Sequence, residues 1–270
     1  MKYIDVHAHL ESDRFKADLD KVIDRCRENS VSVINSGVNS STNREVLEMK
    51  KKYPDILMVS FGLYPIDALA KELEAHGEAF PRDIENFDVD KELEWIKGNS
   101  DECVAIGEIG LDYSFEEIRN SEALRERQKV VFRKILNLAK EIDKPVVIHS
   151  RKAEKDAIEI LEEEKMKKVV MHCFSGKKSL IKRCIDNGWF LSIPPVITRL
   201  EHFKMVVEMT SIEQLLTETD SPYLSPVVVE RNEPSNVLVT IKEIARIKGI
   251  DEEEVREKLV ENVKKLFKID

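Results

Sequence analysis

Apolar and polar positions change period repeatedly along this chain. Short runs with near-alternating or continuous apolar residues predict strands at "YIDVH" (3–7), "VSVINSGV" (31–38), "ILMVSFGL" (56–63) and "CVAIGEIG" (103–110). Four more follow at "PVVIHS" (145–150), "VVMHCF" (169–174), "WFLSI" (189–193) and "LLTETD" (215–220). Between them lie charged stretches of helical period, such as 17–29, 121–142, 153–164 and 177–187. The C-terminal stretch reads as two helices, the second opening at "DEEEVREKL", where an acidic first turn suits the helix dipole. Eight strands alternating with helices predict an α/β fold, the (β/α)8 TIM barrel, which typically needs about 250 residues. A doubly wound open sheet is the competitor, but no Gly-x-Gly-x-x-Gly follows the first strand. No Gly/Ser/Pro-rich linker interrupts the chain, so residues 1–270 are expected to form a single domain.

Composition narrows the partners. Hydrophobic residues make up 42% of the chain, enough for a large core, and charged residues 35%. The net charge of −9 argues against an extended basic surface for nucleic acid, while a local cationic pocket remains compatible with it. The first strand begins after two residues and no apolar run approaches ~18 residues. A soluble cytoplasmic protein is therefore expected, with no membrane contact and no obligatory protein partner. The four cysteines, Cys26, Cys103, Cys173 and Cys184, show no disulfide or zinc-finger spacing and are expected to be reduced and mostly in the core. Cys173 is expected to face away from its neighbour His172.

The candidate chemistry lies at the strand ends. In "KYIDVHAHL" (2–10), Ile4, Val6, Ala8 and Leu10 alternate with Asp5, His7 and His9, giving one apolar and one polar face. His7 and His9 then share a face and can reach one ion. Glu108 closes the fourth strand after Val104 and Ile106, and His149 closes the fifth in phase with Pro145 and Val147. His172 closes the sixth in phase with Val170, and Asp220 closes the eighth. The other two histidines, His76 and His202, fall in a connecting segment and a helix and read as solvated. In a barrel, strand C-termini converge on one rim. Four imidazoles and two carboxylates exceed the four ligands of one zinc ion, and they suit two divalent ions ~3.5–4 Å apart sharing a carboxylate. Zinc, manganese, iron and cobalt are compatible with imidazole, and magnesium is chemically less natural.

Five ordered segments carry a family likeness. "DVHAHL", "AIGEIGLDY", "PVVIHSRKA", "HCFSG" and "LLTETDSPYLSP" followed by "RNEPSNV" resemble the signatures of TatD-family metal-dependent hydrolases and deoxyribonucleases, a branch of the amidohydrolase-like barrels. The resemblance implies that His7, His9 and Asp220 hold one metal and His149 and His172 the other, with Glu108 bridging. It also implies a water made acidic by the ions as nucleophile, with Glu108 and Asp220 as catalytic residues. Asp220 would hold that water and carry its proton toward the leaving group. Substrate contacts are expected from Arg151, Arg231, Ser175 and Tyr64, with Gly176 allowing a close backbone approach. One departure stands out. "GLYPID" (62–67) occupies the place of the family's usual Gly-x-His-Pro-His loop, so Tyr64 and Ile66 replace both histidines. The expected function is metal-dependent phosphodiester hydrolysis of DNA, exonuclease-like. The alternatives are a two-metal hydrolase of another bond, such as a D-aminoacyl-tRNA ester or a small amide or lactone, and a metal-binding barrel without turnover.

Overall fold

The computed structural model describes residues 2–70 and 87–269. Eight parallel strands pair in sequence order: β1 (Tyr3–Ala8), β2 (Val31–Ser36), β3 (Leu57–Phe61), β4 (Ala105–Gly110), β5 (Val146–His149), β6 (Val169–Met171), β7 (Phe190–Ile193) and β8 (Leu215–Thr217). The ring closes between β8 and β1. Thr217 Oγ1 donates to the Ile4 carbonyl (2.8 Å), Asp220 N to His7 O (2.9 Å) and His9 N to Ser221 O (2.8 Å). This is the expected (β/α)8 barrel. β2, β3, β5, β6 and β8 stop earlier than their apolar runs predict, because the last residues of those runs turn into the rim loops, whereas β4 and β7 end where expected and β1 runs one residue further.

Helices cover the outside: α1 (Leu19–Glu28), α2 (Ser40–Lys52), α3 (Val89–Gly98), α4 (Glu116–Asn120), α5 (Glu122–Glu141), α6 (Glu154–Glu163), α7 (Lys178–Asp186), α8 (Glu201–Met209), α9 (Val237–Lys248) and α10 (Glu252–Phe267). α5 shows why such segments fold. Ser121 caps its first turn by accepting from Leu124 N, and Leu124, Gln128, Val131, Phe132, Ile135 and Leu136 bury one stripe. Gln128, a polar residue on that stripe, has a role at the site. None of the helices among the described residues is long and apolar enough to cross a membrane.

The barrel interior is filled by Ile4 and Val6 of β1, Ile34, Ala105, Val147, Val170, Phe190 and Leu216, with Met58 at its edge. Val263, Leu266 and Phe267 of α10 join the same cluster. The last helix therefore stoppers the barrel at the end opposite the strand C-termini. Two expected phases are corrected here. Ile4 and Val6 face the interior, and the β1–β2 register shifts between Asp5 and Ala8, so Ala8 and Leu10 turn outward while His7 and His9 turn inward. On β4, Ile106 packs outward against the helices and the register with β5 shifts between Ile106 and Ile109. Glu108 is therefore not in phase with Ile106. On β1 and β4 a bulge places His7, His9 and Glu108 where simple alternation would not, whereas His149 and His172 keep the phase of the inward Val147 and Val170.

Cys26, Cys103 and Cys184 are buried free thiols, as expected, whereas Cys173 is only partly buried and lies beyond β6 with φ 42°. His202 is also corrected. It is half-buried, with Nε2 2.9 Å from the Phe174 carbonyl, because α8 packs against the loop after β6. His76 lies outside the described residues.

Candidate metal centre

Six predicted residues meet at the C-terminal mouth of the barrel. His7, His9, Glu108, His149 and His172 are all buried, and the Asp220 side chain is 15% exposed. His7 Nε2 and His9 Nε2 are 3.1 Å apart, and each lies 3.5 Å from Glu108 Oε2. Asp220 Oδ1 lies 3.8 Å from His7 Nε2 and 3.6 Å from His9 Nε2. The other oxygen of Glu108, Oε1, is 2.6 Å from His149 Nδ1 and 3.9 Å from His172 Nε2. Glu108 thus straddles two imidazole pairs, one oxygen to each.

Each imidazole is oriented by a partner on its far nitrogen. Ser36 Oγ is 3.0 Å from His7 Nδ1, and Ser60 Oγ donates in turn to Ser36 Oγ (2.9 Å). His9 Nδ1 has Glu11 Oε1 and the Ser36 carbonyl, both at 3.1 Å. Asp112 Oδ2 is 2.9 Å from His149 Nε2, and Glu218 Oε2 is 2.6 Å from His172 Nδ1. These contacts leave the four inner nitrogens facing the Glu108–Asp220 side. Backing of a ligand histidine by a carboxylate or hydroxyl is the usual arrangement around metals.

The sequence reading missed Glu11, Ser36, Asp112 and Glu218, although "GLDY" and "TETD" contain the last two. A signal was present for Asp112: Gln128 stands on an otherwise apolar helical stripe. Its Oε1 accepts from Asp112 N (2.9 Å) and its Nε2 donates to Asp112 O (3.1 Å). Asp5 was read only as part of a polar face. It is fully buried, and its Oδ1 accepts from His7 N (3.1 Å) and Thr219 N (2.9 Å), stitching β1 to the segment carrying Asp220.

The charges do not balance among the side chains. Glu108, Asp220, Glu11, Asp112 and Glu218 crowd this volume, and their ion pairs among the described residues are with histidines, never with lysine or arginine. Burial pulls His7 and His172 below the ordinary imidazole range, His172 adding its repulsion at His7. Burial opposes the charged form of His149 too, but Glu108 and Asp112 outweigh it and lift that imidazole to about 9. Burial pushes Asp220 up and takes Glu218 to about 7. Glu11 Oε2 is buried with no hydrogen-bond partner among the described residues. Five carboxyl groups face four imidazoles, two of which are held neutral by burial, so the full set of carboxylates is short of counter-charge and the donor set suits cations.

The spacing suits them. An ion holding imidazoles at about 2.0–2.1 Å in a tetrahedron spaces its ligand atoms roughly 3.3 Å apart. His7, His9 and Asp220 form one group of mutually close ligand atoms, and His7, Glu108 and His172 another. His149 is absent from the second group but contacts Glu108 directly.

The expected substrate contacts divide. Arg151 is exposed at the rim, and its guanidinium makes no hydrogen bond or ion pair among the described residues. Arg231 is not available in the same way. It donates to Asp18 through Nη1 (2.6 Å) and Nη2 (2.7 Å), donates to Arg14 O and lies over the Phe15 ring. Ser175 Oγ donates to Glu154 Oε1 (2.8 Å), and Gly176 packs where a Cβ would strike the Phe174 ring, so both shape the turn before α7. Tyr64 lies edge-on to His149, ring centres 4.9 Å apart, with its hydroxyl donating to Asp112 Oδ2 (2.6 Å). Its hydroxyl is thus engaged on the partner of His149.

Comparison with known proteins agrees with this architecture. The TatD related DNase family matches residues 4–268. An uncharacterized metal-dependent hydrolase of Methanocaldococcus jannaschii is 35% identical over 99% of this chain and 98% of its own length. The Homo sapiens deoxyribonuclease TATDN3 is 33% identical over 98% of this chain and 94% of its own. The crystal structure of a TatD homologue from Escherichia coli superposes with a TM-score of 0.84, covering 100% of this chain and 99% of that one at 24% identity, which speaks to fold alone. With the family matched from β1 to the end of α10 and the eight-stranded barrel in place, this chain belongs to the TatD related DNase family.

Proposed function

We propose that this protein is a two-metal phosphodiesterase that hydrolyses DNA from an end. The observation that carries the reading is Glu108 lying between two imidazole pairs, 3.5 Å from His7 and His9 on one oxygen and 2.6 Å from His149 on the other. His7, His9 and Asp220 would hold one divalent ion, His149 and His172 the second, with Glu108 between them. When bound, such ions polarise the phosphoryl oxygen and make a water nucleophilic near neutral pH. Zinc, manganese, iron and cobalt suit these donors, and magnesium less so. The membership of a deoxyribonuclease family and the name of the human relative support DNA as substrate.

The chain's own residues supply the rest. Asp220 turns Oδ1 toward His7 and His9, so its second oxygen is left to accept the proton of the attacking water and return it to the leaving oxygen. Arg151, uncommitted at the rim, grips the non-bridging phosphate oxygens. With a net charge of −9, the grip on DNA is local to the mouth.

The test is hydrolysis of end-labelled single-stranded DNA by metal-stripped protein resupplied with magnesium, manganese or zinc. Metal-dependent shortening is expected, slowed at least ~100-fold in Asp220→Asn, the scale of a lost general base. His7→Ala is expected to lower both metal content and rate while leaving the fold. Protein that takes up two ions but cleaves no DNA with any of them would overturn the phosphodiester reading and move the assignment to another ester or amide.

A further inference from the structure

The two halves of the centre are built differently. One offers four donor atoms, His7 Nε2, His9 Nε2, Asp220 Oδ1 and Glu108 Oε2. The other offers three, His149 Nδ1, His172 Nε2 and Glu108 Oε1. His7 is backed by the neutral Ser36 hydroxyl, and among the carboxylates behind the other three imidazoles the sharing of charge differs in the same direction. Glu11, behind His9, has its second oxygen buried without a hydrogen-bond partner among the described residues, so none of its charge is drawn off to them at that atom. Behind His149 and His172, each carboxylate oxygen serves two donors. Asp112 Oδ2 accepts from Tyr64 Oη (2.6 Å) as well as from His149 Nε2 (2.9 Å). Glu218 Oε2 accepts from Ser192 Oγ (2.6 Å) as well as from His172 Nδ1 (2.6 Å). An oxygen shared with a hydroxyl lends less negative charge to its imidazole, and the imidazole binds a cation less strongly.

We infer that the ion on the His149–His172 side is the exchangeable one of the pair, and that Tyr64, acting through Asp112, sets how loosely it is held. The inference rests on the two-ion reading above. Tyr64 is a positioning residue here, since it touches the partner of a ligand. Asp112 does not need Tyr64 to stay in place. Ser114 N donates to its Oδ1 (2.7 Å), and Gln128 bonds both of its backbone groups. Removing the tyrosine hydroxyl therefore returns charge to Asp112 without displacing it.

Calorimetric titration of the metal-stripped full-length protein with manganese reads the two binding steps separately. The wild type is expected to take up two ions with affinities at least tenfold apart, and His149→Ala to lose the weaker step while keeping the tighter. Tyr64→Phe should tighten the weaker step roughly fivefold, the scale of one hydrogen bond, and leave the tighter step unmoved. Ser192→Ala should do the same from the His172 side. Asp112→Asn should weaken that step by about 10–100-fold, as loss of a ligand's partner does elsewhere. Two equal steps, loss of the tighter step in His149→Ala, or a Tyr64→Phe shift falling on the tighter or on both steps would overturn the inference alone. Uptake of a single ion by the wild type would overturn the two-ion reading with it.

Discussion

Val229 sits at the tip of the loop that leads away from Asp220, 98% exposed and with φ 72°. A β-branched L-residue in the left-handed region carries a steric cost of roughly 1–2 kcal/mol, which glycine escapes at some cost in chain entropy. Val229→Gly is therefore expected to stabilise the fold by about 0.5–1 kcal/mol, read as a higher denaturant midpoint at unchanged slope. An unchanged or lower midpoint would show that the tip does not bear that strain. At this same scale, Arg231 and Tyr64 show what a motif leaves open. Both residue types suit phosphate or base contacts, yet Arg231 closes on Asp18, 213 positions away in the chain, and Tyr64 on Asp112, 48 away. A side chain's partner is set by what folds beside it, and motif spacing carries no record of that.

Among the elements, α10 ties the end of the chain to the barrel interior. Val263, Leu266 and Phe267 pack with Ile4, Val6 and Leu216, and Phe267 is 4% exposed. Phe267→Ala is expected to destabilise by about 3–5 kcal/mol, the range for truncating a buried aromatic, while the mouth at the far end keeps its metal content. Urea denaturation with metal analysis of the folded variant checks both parts, and a loss below about 1 kcal/mol would remove α10 from the core. The helices themselves were legible, because amphipathic period and caps such as Ser121 and Asp251 are local signals. The inward turn of His7, His9 and Glu108 was not. Alternation put His7 opposite Ile4 and Val6 and put Glu108 beside Ile106, and both bulges depend on pairing with a neighbouring strand.

Across the whole molecule, Asp143 in the turn after α5 joins Lys168 at the start of β6 to Lys268 beyond α10. Lys168, then Lys268, hold its carboxyl down at about 2. A carboxylate whose folded value is depressed adds stability above the ordinary range and loses it as pH falls. The stability gap between wild type and Asp143→Asn is thus expected at neutral pH and in low salt, shrinking between about pH 4 and pH 2. A gap that persists at pH 2, followed by denaturant midpoints, would assign the effect to something other than this charge. The sequence by itself determined the eight strand–helix units, their order and the six residues at the strand ends, because hydrophobic period and residue type are local properties. Tertiary structure decided how Glu108 meets the two imidazole pairs that the family resemblance implied, with one carboxylate oxygen turned to each. It also decided that Glu11, Asp112 and Glu218 back three of the histidines, and that Arg151 rather than Arg231 is left uncommitted. Those outcomes depend on ring closure and on contacts between residues far apart in the chain, where each buried charge must find a counter-charge.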